Sequence, residues 1–279
     1  KSLHQESANN TKPEYIMGHS FQAISLLVRS PLGHVFAVPL LSRICEGLVW
    51  SRSRKRRSLL DQLVSLFQEV VQAAQAPSLL VADAYYASRK VIDPLLAREH
   101  HLVTRVRTTS VAYGPAPPRT ERMRGRPRKY GPKVRLRDLF KGGQAFSEAK
   151  SPVYGEKDVR LQYRSVDLLW RPVGRTVRFV LVKHPTRGNI ILLSTKLDLD
   201  PLTVIEIYGL RFKIEVSFKQ AIHTIGTYAY HFWMKPMRPI KRPSGNQNVS
   251  RQTDEYKRAV ERKMAAYHRY VQLGCIAQG

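Results

Sequence analysis

Four residues between positions 208 and 219 combine a carboxylate, two cations and a phenol: Tyr208, Arg211, Glu215 and Lys219. At about 100° per residue of α-helix, the four side chains fall within an arc of roughly 80°. Such a face places Glu215 between two positive charges, and cations beside a metal-binding carboxylate can neutralise a reacting phosphate. The competing interpretation is a solvated helix face with i,i+4 ion pairs, each worth a few tenths of a kcal/mol. The apolar residues between and behind this face are Leu210, Phe212, Ile214, Val216 and Phe218.

Asp83 is the second candidate for chemistry. It follows the apolar run from Leu79 to Ala82, which predicts a short strand buried on both faces. The carboxyl ends of sheet strands are where α/β folds bind ligands. Carboxylates at such a place can hold the divalent cations of phosphoryl transfer between nucleic-acid strands. The alternative role for an aspartate at this position is a turn residue or a helix N-cap.

The stretch from 208 to 219 resembles the helix that carries the catalytic glutamate, here called the glutamate helix, in the DDE transposases of bacterial insertion sequences. In one large group of them the signature is Tyr, two residues, Arg, three residues, Glu, six residues, Lys. Tyr208, Arg211 and Glu215 match this signature, whereas Ile222 stands at the lysine position. Lys219 lies one turn earlier on the same predicted face and can partly substitute for that lysine.

The stretch LLVADAYYA around Asp83 resembles the strand that carries the second aspartate of the same family. The resemblance covers residues 3–233 and implies that Asp83 and Glu215 are the second and third catalytic acids, binding Mg²⁺ or Mn²⁺. It implies an α/β fold: a ribonuclease H-like mixed sheet with flanking helices and a β-rich insertion before the glutamate helix. The resemblance also implies that Tyr208, Arg211 and Lys219 position DNA.

The first catalytic acid of that family lies on the opening strand of its sheet. Residues 1–20 contain Glu6 and Glu14 but no aspartate. The predicted strands at 21–28 and 34–44 resemble the second and third strands of the family's sheet. We therefore expect that the first strand and its aspartate are absent, so that the chain is a truncated or inactive copy with an incomplete active site.

The composition points to a polyanionic partner. The chain has 279 residues and a net charge of +26, with 47 Lys and Arg against 21 Asp and Glu. Such a surplus favours nucleic acid or a membrane surface. Nucleic acid is preferred because the sequence shows no long uncharged apolar run, signal peptide or lipidation motif. Cys45 and Cys275 lie far apart without metal-ligand spacing, which fits a reducing cytosol.

The elements that must position Asp83 are predicted from hydrophobic patterns. The predicted strands are 21–28, 34–44, 79–82 and 101–107, with a helix at 58–76. The first two strands form a hairpin, in which Pro39 suits an edge or a bulge. The helix after Asp83 begins either at Ser88 or at Asp93–Pro94.

Residues 108–157 are rich in Pro, Gly and Arg and show no hydrophobic period. Strand patterns return at 158–164, 166–172 and 177–194, the last containing a turn at 184–189, and they predict a β-rich insertion of two to four strands. Asp200 and Pro201 open the helical region that holds Glu215, and a final helix runs from Thr253 to about Leu273. The sequence thus predicts four parts of the chain. Residues 1–107 form the first portion of the core, and residues 108–199 form a basic loop and a β-rich insertion. Residues 200–235 contain the glutamate helix that completes the core, and residues 236–279 form a basic linker with the C-terminal helix.

A basic segment within 122–135 resembles an AT-hook, in which an extended Arg-Pro-Arg lies in the minor groove of A·T tracts. Its core is Gly125-Arg126-Pro127, and the surrounding cations are Arg124, Arg128 and Lys129. A solvated loop that binds phosphates without reading bases is the alternative, and either form predicts salt-dependent DNA binding. The cations of 52–57 form a possible second phosphate contact. Tyr230 and Trp233 are candidates for stacking on an unpaired base or, more simply, for the core.

Together these features predict a DDE-type DNA transposase that cleaves transposon ends and joins them to target DNA with Mg²⁺ or Mn²⁺. Double-stranded DNA is the expected partner, a homodimer on paired ends is possible, and no membrane partner is expected. The expected location is the bacterial cytoplasm, associated with the nucleoid. Two alternatives stay open: a basic DNA-binding protein without catalysis, and a ribonuclease H-like nuclease without strand transfer.

Overall fold

The computed structural model describes residues 2–4, 15–50, 57–118, 125–141, 143, 145–230 and 246–279. The chain divides into two compact units. Residues Gln75–Phe212 form one, here called the central unit. Residues Lys1–Ala74 and Lys213–Gly279 form the other, here called the split unit.

The strands of the described residues are β1 (Ser2–His4), β2 (Tyr15–Met17), β3 (Ser20–Arg29), β4 (Val35–Glu46), β5 (Leu48–Val49), β6 (Leu79–Ala82), β7 (His101–Val106), β8 (Val111–Tyr113), β9 (Lys133–Arg135), β10 (Ser147–Lys150), β11 (Arg160–Trp170), β12 (Arg175–His184), β13 (Gly188–Ser194) and β14 (Gln247–Asn248). The α-helices are α1 (Leu59–Ala74), α2 (Arg89–Leu96), α3 (Pro201–Gly209), α4 (Lys213–Gln220) and α5 (Asp254–Gln278). Short 3₁₀ turns cover Ala84–Tyr86, Leu136–Phe140 and Leu210–Phe212, and a π-helical turn covers Ala221–Ile225.

The central unit is built on an eight-stranded mixed sheet. Its strand order is β6-β7-β13-β12-β11-β8-β9, with β10 paired to β11. The β6–β7 pair is parallel and the other pairs are antiparallel. The predicted α/β class with a mixed sheet and flanking helices is therefore confirmed.

Helices cover the β7 end of this sheet because β7 is apolar on both faces. Val103 belongs to a core cluster that α3 completes with Val204 and Ile205. Side chains alternate along a strand, so Leu102 points to the opposite side, and α2 also packs against β7. Helix α2 begins at the Ser88 cap, whose hydroxyl accepts a hydrogen bond from the Lys90 amide at 3.3 Å. Ser88 rather than Asp93–Pro94 is thus the start of this helix.

The prediction of helix α3 from Asp200 and Pro201 is confirmed. The Asp200 carboxylate accepts hydrogen bonds from the amides of Leu202 and Thr203 at 2.8 and 3.3 Å. Pro201 stands in the first turn, where its missing N–H costs nothing because no carbonyl would accept it.

The expectation for residues 108–157, a basic loop without a hydrophobic period, was wrong in detail. Residues 108–157 contain β8, β9, β10 and a 3₁₀ turn despite their lack of hydrophobic period. These strands have three or four residues each and are held by pairing with β11 or with each other, which no local pattern encodes. The β-rich insertion, predicted with two to four strands over 158–194, contains the three strands β11, β12 and β13, and the patterns at 158–164 and 166–172 lie for the most part on β11. The long partner β12 pairs along most of it and keeps it continuous.

In the split unit, β3 and β4 form the predicted hairpin. The Gly33 amide donates to the Ser30 carbonyl at 2.9 Å, and Gly33 has φ +81°. The register shifts between Ile24 and Ser25, which leaves Leu40 as a bulge beside Pro39 and confirms the expected irregularity. Among the described residues this hairpin is a two-stranded sheet of its own, so the expectation that it shares a sheet with β6 was wrong. The hairpin and β6 belong to different compact units of the chain.

Helices α1, α4 and α5 pack against the hairpin. Helix α1 starts with a reciprocal cap, in which the Ser58 amide donates to Asp61 Oδ2 at 2.8 Å and the Asp61 amide donates to Ser58 Oγ at 3.3 Å. Helix α5 begins at the predicted Thr253 cap. No helix of the described residues is long and apolar enough to span a bilayer.

The predicted continuous helix over 208–219 was wrong. Helix α3 ends at Gly209, a 3₁₀ turn follows at Leu210–Phe212, and α4 starts at Lys213. A 3₁₀ turn advances by about 120° per residue rather than 100°, so a single α-helical wheel does not describe the four signature residues. The apolar pattern differs too, because Val216 is 43% exposed whereas Ser217 is buried.

Candidate functional site

Asp83 lies directly after β6 and caps the 3₁₀ turn at Ala84–Tyr86. Its Oδ1 accepts a hydrogen bond from the Tyr85 amide at 2.9 Å. The side chain is exposed, and within the described part of the chain its Oδ2 has no hydrogen-bond partner. Asp83 therefore does cap this turn, but only through Oδ1, and its Oδ2 is available to a ligand.

The backbone of Asp83 is held by a buried threonine that the sequence patterns did not single out. Thr104 Oγ1 donates to the Asp83 carbonyl at 2.7 Å, and Thr104 has no exposed surface. The parallel register pairs Ala82 with Thr104, so Asp83, directly after β6, lies level with Arg105 on β7. The available signal was a hydroxyl inside the apolar strand HLVTRV, since a buried polar group requires a partner.

Tyr208 reaches the same region from α3. Burial raises the pKa of its phenol, and the negative charge of Asp83 raises it further. The positive charges of Arg211 and Arg105 act in the opposite direction, and Arg211 hydrogen-bonds the phenol oxygen. The central unit thus brings together three predicted residues, Asp83, Tyr208 and Arg211, and adds Arg105.

Glu215 and Lys219 belong to the split unit, since the division of the chain falls between Phe212 and Lys213. Glu215 lies in the first turn of α4 and Lys219 in its last turn, and both side chains are exposed. They remain i,i+4 neighbours on one helix. Tyr208 lies on α3 and Arg211 lies in the intervening 3₁₀ turn, so the signature is spread over three elements.

The basic segment is exposed at Arg126, Arg128 and Lys129, which have no regular secondary structure. Gly125 before them has φ +101°. Arg124 lies outside the described residues, as do Glu6, Glu14, Trp233 and the basic positions 52–56.

Tyr230 lies in the split unit, where its ring is 5.1 Å from Tyr267 and 5.4 Å from Tyr270 between centroids. It packs against the cluster of Tyr267, Val271 and Cys275. The core interpretation of Tyr230 is therefore confirmed.

Comparison with known families adds one finding. Residues 43–165 match the family model described as DDE superfamily endonuclease. This match supports a DDE-type family for the chain. The matched region includes Asp83, Thr104 and Arg105, and an endonuclease family implies a nucleic-acid substrate. No curated protein matches the chain.

DDE-type enzymes generally use divalent metals, for which carboxylates are suitable ligands. An exposed carboxylate with an available oxygen, as in Asp83, is chemically suited to a hard cation. The described residues contain no group of three or more His, Cys, Asp or Glu side chains that could hold a metal. Among the described residues, Asp83 is therefore a single carboxylate with an available oxygen and not part of such a group.

Proposed function

We propose that the chain is a DDE-type DNA transposase with a ribonuclease H-like core, acting on transposon ends and target DNA. The observation that carries the proposal is Asp83, which lies within the family match and at a strand end near two guanidinium groups. The reactions are hydrolysis of a phosphodiester at the transposon end and joining of the freed 3′-hydroxyl to target DNA. The proposal extends to the bacterial nucleoid as location and to a homodimer acting on paired ends.

Asp83 and Glu215 are the proposed catalytic residues and ligands for Mg²⁺ or Mn²⁺. When bound, such cations activate an attacking oxygen and stabilise a leaving one. The proposed DNA-positioning residues are Tyr208, Arg211 and Lys219, together with Arg124, Arg126, Arg128 and Lys129 of the basic segment. The retained match to the family signature at Tyr208, Arg211 and Glu215 supports these roles.

The environment of Tyr208 supports a positioning role in this reaction. Burial and the charge of Asp83 keep the pKa of its phenol above the ordinary 10.0, so the hydroxyl keeps its proton at neutral pH. A protonated phenol can donate a hydrogen bond to a phosphate oxygen. The guanidinium groups of Arg105 and Arg211 remain charged and attract the same phosphate.

A DNA-binding protein without catalysis is the second candidate. It is favoured by the excess of positive charge, 47 Lys and Arg against 21 Asp and Glu, which suffices for binding a polyanion without catalysis. Strand-transfer assays with labelled transposon ends separate the candidates. Products joined to target DNA support a transposase, nicked products alone support a nuclease, and retarded but intact DNA supports the non-catalytic protein.

Metal binding tests the proposed acids without requiring turnover. Mn²⁺ binding is titrated by electron paramagnetic resonance in the wild type, Asp83→Asn, Glu215→Gln and Asp93→Asn. Asparagine retains the capping oxygen of Asp83 and removes its charge, and Asp93 is a control because it forms an ion pair with Arg89 at 2.8 Å. We expect the first two variants to bind Mn²⁺ roughly tenfold more weakly or worse, at about 1.4 kcal/mol, and the control to be unchanged.

A second readout locates the cation. Fe²⁺ with ascorbate in place of Mg²⁺ cuts the backbone near its binding site, so we expect cuts close to Asp83 and Glu215 that Asp83→Asn abolishes. Wild-type Mn²⁺ affinity in Asp83→Asn, or cuts elsewhere in the chain, would rule out the proposed metal site.

A further inference from the structure

Exposed positive charges are grouped at the β9 end of the central sheet. Four other cations of the sheet and its loops lie within ion-pair distance of acids: Lys150 with Asp158 at 3.1 Å, Arg160 with Glu148 at 2.6 Å, Arg178 with Asp167 at 2.8 Å and Arg187 with Glu156 at 2.6 Å. Within the described ranges, no acid pairs with four exposed cations at the β9 end: Lys129, Lys133, Arg135 and Arg171. We call these four residues the basic face.

Strand register places two of the four cations on one side of the sheet. Lys133 pairs with Tyr113 and Arg135 pairs with Val111, whereas Val134 between them pairs with the fully buried Ala112. Directly paired residues point to the same side. Lys133 and Arg135 therefore project about 7 Å apart on the side away from Ala112.

Lys129 links the strand to the neighbouring turn. Its Nζ lies 2.9 Å from the position that a Cβ on Gly174 would take, so its side chain extends over the turn at 171–174 that contains Arg171. Lys129 also lies 6.0 Å from the centroid of the Tyr130 ring. The Tyr130 ring in turn packs on Tyr113 at 5.1 Å between centroids.

The backbone keeps this arrangement in place. The Gly131 amide donates to the Gly114 carbonyl at 3.0 Å, and the Gly114 amide donates to the Pro132 carbonyl at 2.9 Å. A Cβ added to Gly131 would overlap the Pro115 carbonyl oxygen. Only glycine allows this approach, so the segment from Lys129 to Lys133 is held against the end of β8.

We infer that the basic face is a binding surface for the phosphate backbone of double-stranded DNA. The inference rests on the proposed function for its nucleic-acid substrate and adds Lys133, Arg135 and Arg171 to the proposed DNA-binding residues. Strand pairing fixes the backbone of Lys133 and Arg135, and the close glycine approach holds the segment that follows Lys129, so the backbone that carries these cations need not be ordered on binding. Cations on an edge strand can also serve to block edge-to-edge aggregation, and the experiment separates the two roles.

The test is the salt dependence of binding to a labelled 30-base-pair duplex of mixed sequence, followed by fluorescence anisotropy in EDTA. Removing one cation that binds a phosphate lowers the slope of log affinity against log salt by about 0.9. For a variant with Lys129, Lys133, Arg135 and Arg171 all changed to Gln, we expect a slope shallower by roughly 3 to 4. The matched control changes four exposed cations of α5 to Gln: Arg258, Arg262, Lys263 and Arg269.

Gly131→Ala is a further variant that retains every charge. We expect it to weaken duplex binding because the added methyl displaces the segment that carries Lys129. Circular dichroism checks that all variants are folded.

An equal decrease of slope in the basic-face and α5 variants would overturn the inference, because net charge alone would then explain binding. Unchanged affinity with increased aggregation in the basic-face variant would assign Lys133 and Arg135 to edge protection instead. A decrease confined to single-stranded DNA or RNA would also contradict a duplex surface. Because the assay contains no metal, the basic face and the proposed metal site at Asp83 can fail independently.

Discussion

At the scale of single residues, the position of Asp83 depends on two hydrogen bonds with different roles. The Tyr85 amide orients the carboxylate through Oδ1, and the Thr104 hydroxyl holds the carbonyl. The carboxylate is exposed whereas Thr104 is fully buried. The backbone at the strand end is therefore held by a hydrogen bond from inside the sheet, whereas the carboxylate faces solvent.

Thr104→Val tests this support. Valine is close in shape but cannot donate, so the Asp83 carbonyl loses its partner, and we expect the free energy of unfolding to fall by about 1–2 kcal/mol. The measurement is urea unfolding followed by circular dichroism. Thr176→Val is the control, because Thr176 is an exposed threonine on β12 of the same sheet. Equal destabilisation of the two variants would show that the Thr104 hydroxyl does not support Asp83.

At the scale of elements, the junction between α3 and α4 places the residues of the family signature on separate elements. Tyr208 lies near the end of α3, where the charge of Asp83 acts on its phenol, and Glu215 lies in the first turn of α4 after the 3₁₀ turn. A single α-helical wheel therefore does not describe residues 208–219. The spacing of the signature is retained, but each side chain is positioned by its own element.

The packing of α5 on β4 should make stability depend on pH. His268 Nε2 accepts a hydrogen bond from the Ile44 amide at 3.1 Å, so the ring must be neutral at that nitrogen. Burial lowers the pKa of His268 below its ordinary 6.5, and the positive charge of Arg43 lowers it further. The unfolded chain then binds a proton at a higher pH than the folded chain does.

We therefore expect the contribution of His268 to be fully present above pH 6.5 and to be lost as pH falls below that value toward the folded pKa. Urea midpoints at pH 7.5 and 5.5 measure it in the wild type and in His268→Gln, which does not titrate. His34→Gln, at an exposed site in the hairpin turn, is the control. An equal pH response in the wild type and His268→Gln would contradict this assignment.

At the scale of the whole molecule, the central unit is continuous in sequence and has its own core. That core consists of Val103, Val153, Leu161, Val180, Val182, Leu192, Val204 and Ile205. The split unit instead combines chain segments from both termini, since Phe21 and Ile44 pack against Tyr267 and Val271 of α5. The two units should therefore differ in their ability to fold as fragments.

A fragment of residues 75–212 should fold alone and unfold cooperatively in urea. A fragment of residues 1–74 should not fold alone, because its hairpin would lack the α5 residues against which Phe21 and Ile44 pack. Circular dichroism and calorimetry on both fragments provide the measurement. A disordered 75–212 fragment would show that its core requires the rest of the chain.

Much of the local structure could be predicted from the sequence because its causes are local. The apolar runs of β3, β6 and β7, the caps at Ser88, Asp200 and Thr253, and the helical period of α1 involve residues a few positions apart. Asp83 was predicted at its strand end for the same reason. The excess of positive charge followed from composition.

The rest depends on contacts between residues distant in sequence. The strands β8 and β9 exist because β11 pairs with β8, and no pattern in residues 108–157 specifies that partner. Thr104 and Arg105 join the candidate site through the parallel register of β6 and β7. Hydrophobic periodicity records which side of an element is buried, whereas strand pairing and the break after Gly209 depend on what the folded chain packs against it.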